Sequence, residues 1–331
     1  MVKWMFRSLL LLFVQQGFAQ VGFEMTTPLR DYCSPGVRNQ SPSKGILFEY
    51  GFQPPMALQS YSPAGATHFS NNDQLQVKLK APLVLKPGLK VLAGISHIHE
   101  SYDYNYAIPE AFPAVQELDR TLLKATRLSL YAVKPWSQRM YLMLRLEGSF
   151  NGDYRGLMSF DRRYAVYRAS ALWGIKKNED TEWGVGFLYK RGFRNQALYP
   201  FLLFNHTFND HWGLESVFPA VIKGRYNFDR NNILLFGTEL QTSEYSIDMA
   251  TNSGNGADAS SIFHLNSASL LFSLAYNRRV NRWTWTEFKV GYSHSLSSNF
   301  ENTATGELLP TLPTNGPFVS FSVFLSPPRD R

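Results

Sequence analysis

Apolar residues recur at every second position along many separate stretches of this chain, and that pattern restricts its fold more than any other feature. Met140, Leu142, Leu144 and Leu146 alternate with Tyr141, Met143, Arg145 and Glu147. Trp183, Val185, Phe187 and Tyr189 alternate with Gly184, Gly186, Leu188 and Lys190, and Val319, Phe321, Val323 and Leu325 with Ser320, Ser322 and Phe324. Successive side chains of a strand point to opposite faces, so period two marks a strand between two unlike environments. The strands drawn around these cores run roughly 9–13 residues, beyond the usual ~5–6 of globular sheets and close to the ~9–11 of a membrane-crossing strand.

Helical membrane spans are excluded, because each needs about 20 mostly apolar residues and the one long apolar run lies at the N-terminus. Mean hydropathy is −0.23. Charged residues make up 18% of the 331, against roughly 25% in an average soluble domain. The 7 Trp, 17 Tyr and 25 Phe leave too much apolar content for disorder, and a single cysteine, Cys33, excludes a disulfide scaffold. Residues 1–19 read as a secretory signal peptide: Lys3 and Arg7 precede the apolar run Leu9–Val14, and Gly17-Phe18-Ala19 forms a small-x-small cleavage site. Cleavage would lower the net charge of +7 by two, a mild excess that gives no reason to expect a nucleic-acid partner.

Connections between strands alternate in length. Short ones such as Lys86-Pro87-Gly88, Asn209-Asp210-His211 and Asp229-Arg230-Asn231-Asn232 carry Pro, Asn or Asp, which suit tight turns. Longer polar stretches lie between them, near 53–69, 99–121, 150–163, 246–262 and 297–315. Short turns on one rim and long loops on the other are the layout of an outer-membrane barrel. Trp136, Trp173, Trp183, Trp212, Trp283 and Trp285 all fall beside short turns, as an aromatic girdle at a membrane interface would. The expected architecture is therefore all-β: a single antiparallel up-and-down transmembrane barrel of 14 strands. The count becomes 12 if 212–228 is only a partial hairpin around Phe218-Pro219-Ala220. The barrel is expected over residues 44–326, after a lead-in or plug at 20–43 and before a tail at 327–331.

The stretch from Trp212 to Tyr245 carries Glu215-x-x-Phe218-Pro219-Ala220, Arg225-Tyr226-Asn227-Phe228, Asn231-Asn232, Gly237-x-Glu239-Leu240 and Tyr245. It resembles an uncharacterised family of outer-membrane β-barrel proteins of Gram-negative bacteria, known as a domain of unknown function. The resemblance covers about a tenth of the chain. It implies the same barrel and location, and brings no catalytic residue or ligand.

Catalytic patterns are weak. Ser293-His294-Ser295 supplies the ingredients of a hydrolase site without a barrel-lipase motif, and Asp210-His211 sits on the short-turn rim. His97 and His99 share a strand face, yet no metal-ligand spacing such as H-E-x-x-H occurs. No enzyme activity, cofactor or metal is expected. If apolar faces meet lipid, the inward positions include Lys78, Lys80, Arg127, Arg145, Glu147, Arg168, Lys190, Glu215, Lys223, Arg225, Glu239, Glu287 and Lys289. These line a water-filled path or pair with one another and fill a narrow interior, Lys223 and Arg225 near Glu239 on the next strand being one such cross-strand set. Trp283 and Trp285 share parity with Glu287 and Lys289, a conflict unless a bulge intervenes. The function this points to is a channel or transporter for a small solute in the cell outer membrane. A structural or surface-interaction barrel is the alternative, and a barrel lipid hydrolase a weaker one. Outer-membrane lipids and the barrel-assembly machinery are the expected partners; the oligomeric state is left open.

Overall fold

The computed structural model describes residues 33–54, 56–58, 67–69, 71–103, 118, 121–193, 195–252, 258–306, 308–310 and 315–327. The signal segment, the first part of the lead-in and the last four residues lie outside the described residues. Fourteen strands close into an antiparallel barrel. They are β1 (Ile46–Gln53), β2 (Asn71–Lys86), β3 (Leu89–Asp103), β4 (Leu123–Pro135), β5 (Met140–Gly152), β6 (Ala165–Lys176) and β7 (Thr181–Arg191). The second half comprises β8 (Gln196–Thr207), β9 (Trp212–Phe218), β10 (Val221–Asn227), β11 (Asn232–Asn252), β12 (Asp258–Arg279), β13 (Thr284–Asn302) and β14 (Gly316–Leu325). Each strand pairs with its neighbours in sequence. β14 closes the ring, placing Phe324 against Leu47 of β1 on one side and Trp285 of β13 on the other. Closure pairs the backbone donors and acceptors that hydrocarbon cannot satisfy. The segment 212–228 is a short hairpin of seven-residue strands, each paired to the strand beside it, so both count in the ring of 14.

The short turns use one device repeatedly. Oδ1 of Asn209 accepts from the backbone N–H of His211 and Trp212. Oδ1 of Asp229 does the same for Asn231 and Asn232, and Oδ1 of Asn281 for Trp283 and Thr284. The side chain thus satisfies backbone donors that the reversal would otherwise leave unmet. Glycines make room where a large inward side chain lies over the facing strand. A Cβ at Gly174 would come within 2.1 Å of the fully buried Tyr141 ring, and one at Gly213 within 2.3 Å of the Arg225 guanidinium.

Wall height is uneven. β9 and β10 have seven residues each, whereas β11 has 21 and β12 has 22. The upper part of β11 crosses the interior: Ser246 bridges in parallel to Gly152 of β5. The outer face is apolar, with Leu146, Phe187, Leu202, Phe236, Phe288 and Phe321 all exposed. Trp136, Trp173, Trp183, Trp212 and Trp283 are also exposed near the short-turn rim. Trp285 departs from the expected girdle. It is buried on the inner face, its ring stacked on Phe324 at 6.4 Å between centroids. No bulge is needed at this point, since β13 begins at Thr284 and Trp283 belongs to the turn. Trp285 then shares the inward face with Glu287 and Lys289.

Candidate functional site

The barrel interior holds the largest concentration of buried polar and charged side chains among the described residues. Its short-turn end is occupied by residues 33–45, which run against the inner wall. Cys33 and Val37 are buried, and the remaining contacts are polar. The N–H of Gly36 donates to Oε1 of Glu182 at 2.8 Å, and Tyr141 Oη (2.7 Å) and Asn205 Nδ2 (2.8 Å) donate to the same carboxylate. Gly36 has φ +101°, a left-handed conformation that suits glycine. Arg38 pairs with Asp180 (2.9 Å) and Asp210 (3.1 Å). The carbonyl oxygen of Arg38 accepts from Thr207 Oγ1 at 2.6 Å and from Arg225 Nη2 at 3.2 Å. The N–H of Ser41 donates to Glu215 at 2.8 Å, and Lys44 pairs with Glu287 at 2.8 Å. Burial pushes the Cys33 thiol above its ordinary range, while the ammonium of Lys176 works against that rise.

Two charged sectors face the interior above this segment. On β4, β5 and β6, the buried Glu147 carboxylate accepts from Arg127 (3.0 Å), Arg168 (2.9 Å) and Arg145. Lys80 lies over the Tyr131 ring at 4.5 Å, and Arg145 lies over it at 5.1 Å. Lys78 shares the inward face of β2 with Lys80, so β2 and β4–β6 together present five bases here, three of them on Glu147. The opposite sector, on β1 and β9–β13, is balanced. Lys223 pairs with Glu239 at 2.8 Å and Arg225 with Glu215 at 3.0 Å. Lys289 reaches Glu49 at 3.6 Å and Glu287 at 3.7 Å. A cavity of about 280 Å³ lies in this sector, floored by residues 40–44 and reaching Val217 and Val221 at the tip of the β9–β10 hairpin.

Toward the long-loop end, the described residues build an apolar cluster across the interior. Tyr245 and Ile247 of β11 pack with Leu123 and Ala125 of β4, Phe263 and Leu265 of β12, and Phe300 of β13. Tyr245 Oη donates to Glu100 at 2.7 Å, and the N–H of Asp248 donates to Asp153 at 2.8 Å.

The sequence-derived inward residues fall into these groups: Arg127, Arg145, Glu147 and Arg168 in one, and Lys223, Glu239, Glu287 and Lys289 in the other. Lys190 joins neither, pairing instead with Glu244 of β11. Arg225 does not share Glu239 with Lys223; fully buried, it turns to Glu215 on the other flanking strand. Glu182 was missed, although its parity with Lys190, Gly186 and Gly184 along β7 marks it as inward. The hydrolase patterns come apart. Ser293 is buried while the adjacent His294 is exposed on the other face. His206 bonds Thr181, and His211 bonds the Asn227 carbonyl oxygen. His97 bonds Thr126 at 2.6 Å, with its ring edge-on to His99.

No family model matches the chain, and no curated protein matches it. Solved structures do. One is the NanC porin in a rhombohedral crystal form, at 7% identity over 85% of this chain and 100% of that one, TM-score 0.37. Another is a deltaS2 mutant of the TodX monoaromatic hydrocarbon channel, at 9% identity over 86% and 90%, TM-score 0.34. A third is the outer membrane protease OmpT from Escherichia coli, at 8% identity over 85% and 94%, TM-score 0.27.

Proposed function

We propose that the protein is an outer-membrane channel for a small solute, reached after removal of residues 1–19 and held shut at its periplasmic end by residues 33–45. The observation that carries this reading is the chemistry of the closing segment. Hydrogen bonds and ion pairs with the lumen wall hold it, and water can replace such contacts at a net cost of about 0.5–1.5 kcal/mol each. An element serving only as core would bury apolar surface instead. The five bases on β2 and β4–β6 give the path a positive sector, which favours anions.

The test is planar-bilayer recording on the full chain and on a variant lacking residues 33–43. The deletion is expected to raise single-channel conductance severalfold, with current carried mainly by anions. Glu147→Gln is expected to increase that anion preference. An unchanged trace after deletion would turn the reading toward a structural barrel with a permanently filled interior.

A further inference from the structure

The barrel wall has a gap. β8 pairs with β7 from Gln196 to His206, but its ladder with β9 begins only at Leu202. β11 pairs with β12 along its whole length, but its ladder with β10 ends at Glu239, beyond which one bond joins the N–H of Leu240 to the Ala220 carbonyl oxygen. Gln196–Phe201 and Gln241–Tyr245 therefore face each other across the tip of the β9–β10 hairpin, with no ladder between them among the described residues. At its base the opening spans three strand intervals, about 14 Å.

Its level follows from strand length. Seven residues tilted about 40° rise roughly 18 Å, against an apolar band about 25 Å tall. β9 starts at the exposed Trp212, so its tip ends inside that band, on the side away from the tryptophan girdle. Exposure agrees with an opening. Tyr199 shares inward parity with buried Asn205, yet is 51% exposed. Gln241, inward by parity with buried Tyr245, is exposed as well. Leu198 and Leu202 on one side and Phe218 and Leu240 below give the rim an apolar edge. Pro200 lies in the half of β8 that pairs with β7 alone, an edge position of the kind where proline occurs in sheets.

The upper edge is latched. Lys190 of β7 reaches across to Glu244 of β11, and the Phe193 ring stacks on His264 of β12 at 4.7 Å. Both partners of the ion pair are largely shielded, at 17% and 15% side-chain exposure.

From this geometry we infer that the gap is a lateral window, through which a single-chain amphipath with an anionic head passes between the lipid and the lumen. The inference rests on the channel reading above and names its substrate class. The apolar rim suits the chain. On the cavity inside, Lys44, Lys223 and Lys289 each carry a carboxylate partner, so an anionic head gains most from the unbalanced basic sector beyond, where Arg145 and Arg127 are 42% and 29% exposed. Unpaired strand edges in hydrocarbon are otherwise costly, and a solvated lumen behind them relieves that cost.

The test uses the full chain in phosphatidylcholine vesicles with a diazirine-bearing C12 carboxylate, and labelled residues are mapped by mass spectrometry. Lipid-facing Leu130 and Phe187 should be labelled equally in every variant. Inward-facing Leu203 and Val217, paired in register and lining the cavity, should also be labelled, at least fivefold less in Gln241→Trp and Thr242→Trp, which fill the window, and severalfold more in Glu244→Gln, which releases the latch. Heat-modifiable gel migration verifies that each variant is folded. A C12 trimethylammonium analogue should label the inward pair several times less than the carboxylate. Inward labelling that is absent, or unchanged by the window-filling variants, overturns the window; equal inward labelling by the cation overturns the anionic head. Conductance of the 33–43 deletion is read separately, so the window can fail while the channel stands.

Discussion

The two ends of the lumen are closed in opposite ways. At the short-turn end, residues 33–45 lie in a cradle of carboxylates and hydroxyls, and few of their side chains are apolar and buried. At the long-loop end, the top of β11 leaves the wall and buries Tyr245 and Ile247 against three other strands. Apolar burial is worth roughly 25 cal/mol per Å² and has no substitute in water, whereas a polar contact exchanges for a hydrated one at small net cost. The upper closure therefore belongs to the fold, and on the proposed channel reading the lower one is the part expected to let go.

Substitutions can break this contrast in order of size. Phe300→Ala, at the centre of the upper cluster, should destabilise the barrel by about 4 kcal/mol in a urea titration in vesicles, without opening a path at the lower end. Arg225→Met should cost about 3 kcal/mol, because it leaves Glu215 half-paired in a shielded site and also strips a donor from the Arg38 carbonyl. Glu182→Ala should cost about 2 kcal/mol, since three donors lose one acceptor, yet it should raise conductance far more than either of the others. Arg38→Ala removes two exposed pairs and should shift stability by less than about 1 kcal/mol, with a small rise in open time as its signature. If Phe300→Ala opened the channel and Glu182→Ala did not, the assignment of the movable end would be reversed.

Much of this was legible from alternation and turn chemistry. The strand cores, the Asn209, Asp229 and Asn281 turns and the strand count follow from local rules that membrane and backbone impose together. Where the rules misled, the cause was one assumption, that every apolar face meets lipid. Trp285, Ile233 and Leu235 point inward and pack with Leu47 and Phe324, because a barrel of this width must fill part of its own interior. Strand ends were also underestimated. The alternation of β11 and β12 continues past the membrane, and nothing in period two signals that Tyr245 and Ile247 have crossed to another wall. The partner of Arg225 was misjudged for a related reason: both flanking strands offer a carboxylate, and only the room above Gly213 decides which one it reaches. Local sequence left a lead-in and a plug both open for residues 20–43, since most contacts of residues 33–45 are with strands more than a hundred positions away.

Cys33 offers the most direct measurement. It is the chain's one cysteine, and it is buried only while the lower segment sits in its cradle. Its alkylation by a membrane-impermeant maleimide, followed alongside conductance in the same preparation, reads the position of the segment and the state of the path together. The account predicts slow labelling in the native protein, with labelling and conductance rising together, by tenfold or more, in Glu182→Ala. Fast labelling with no change in conductance would contradict it, because the segment would then leave without opening anything.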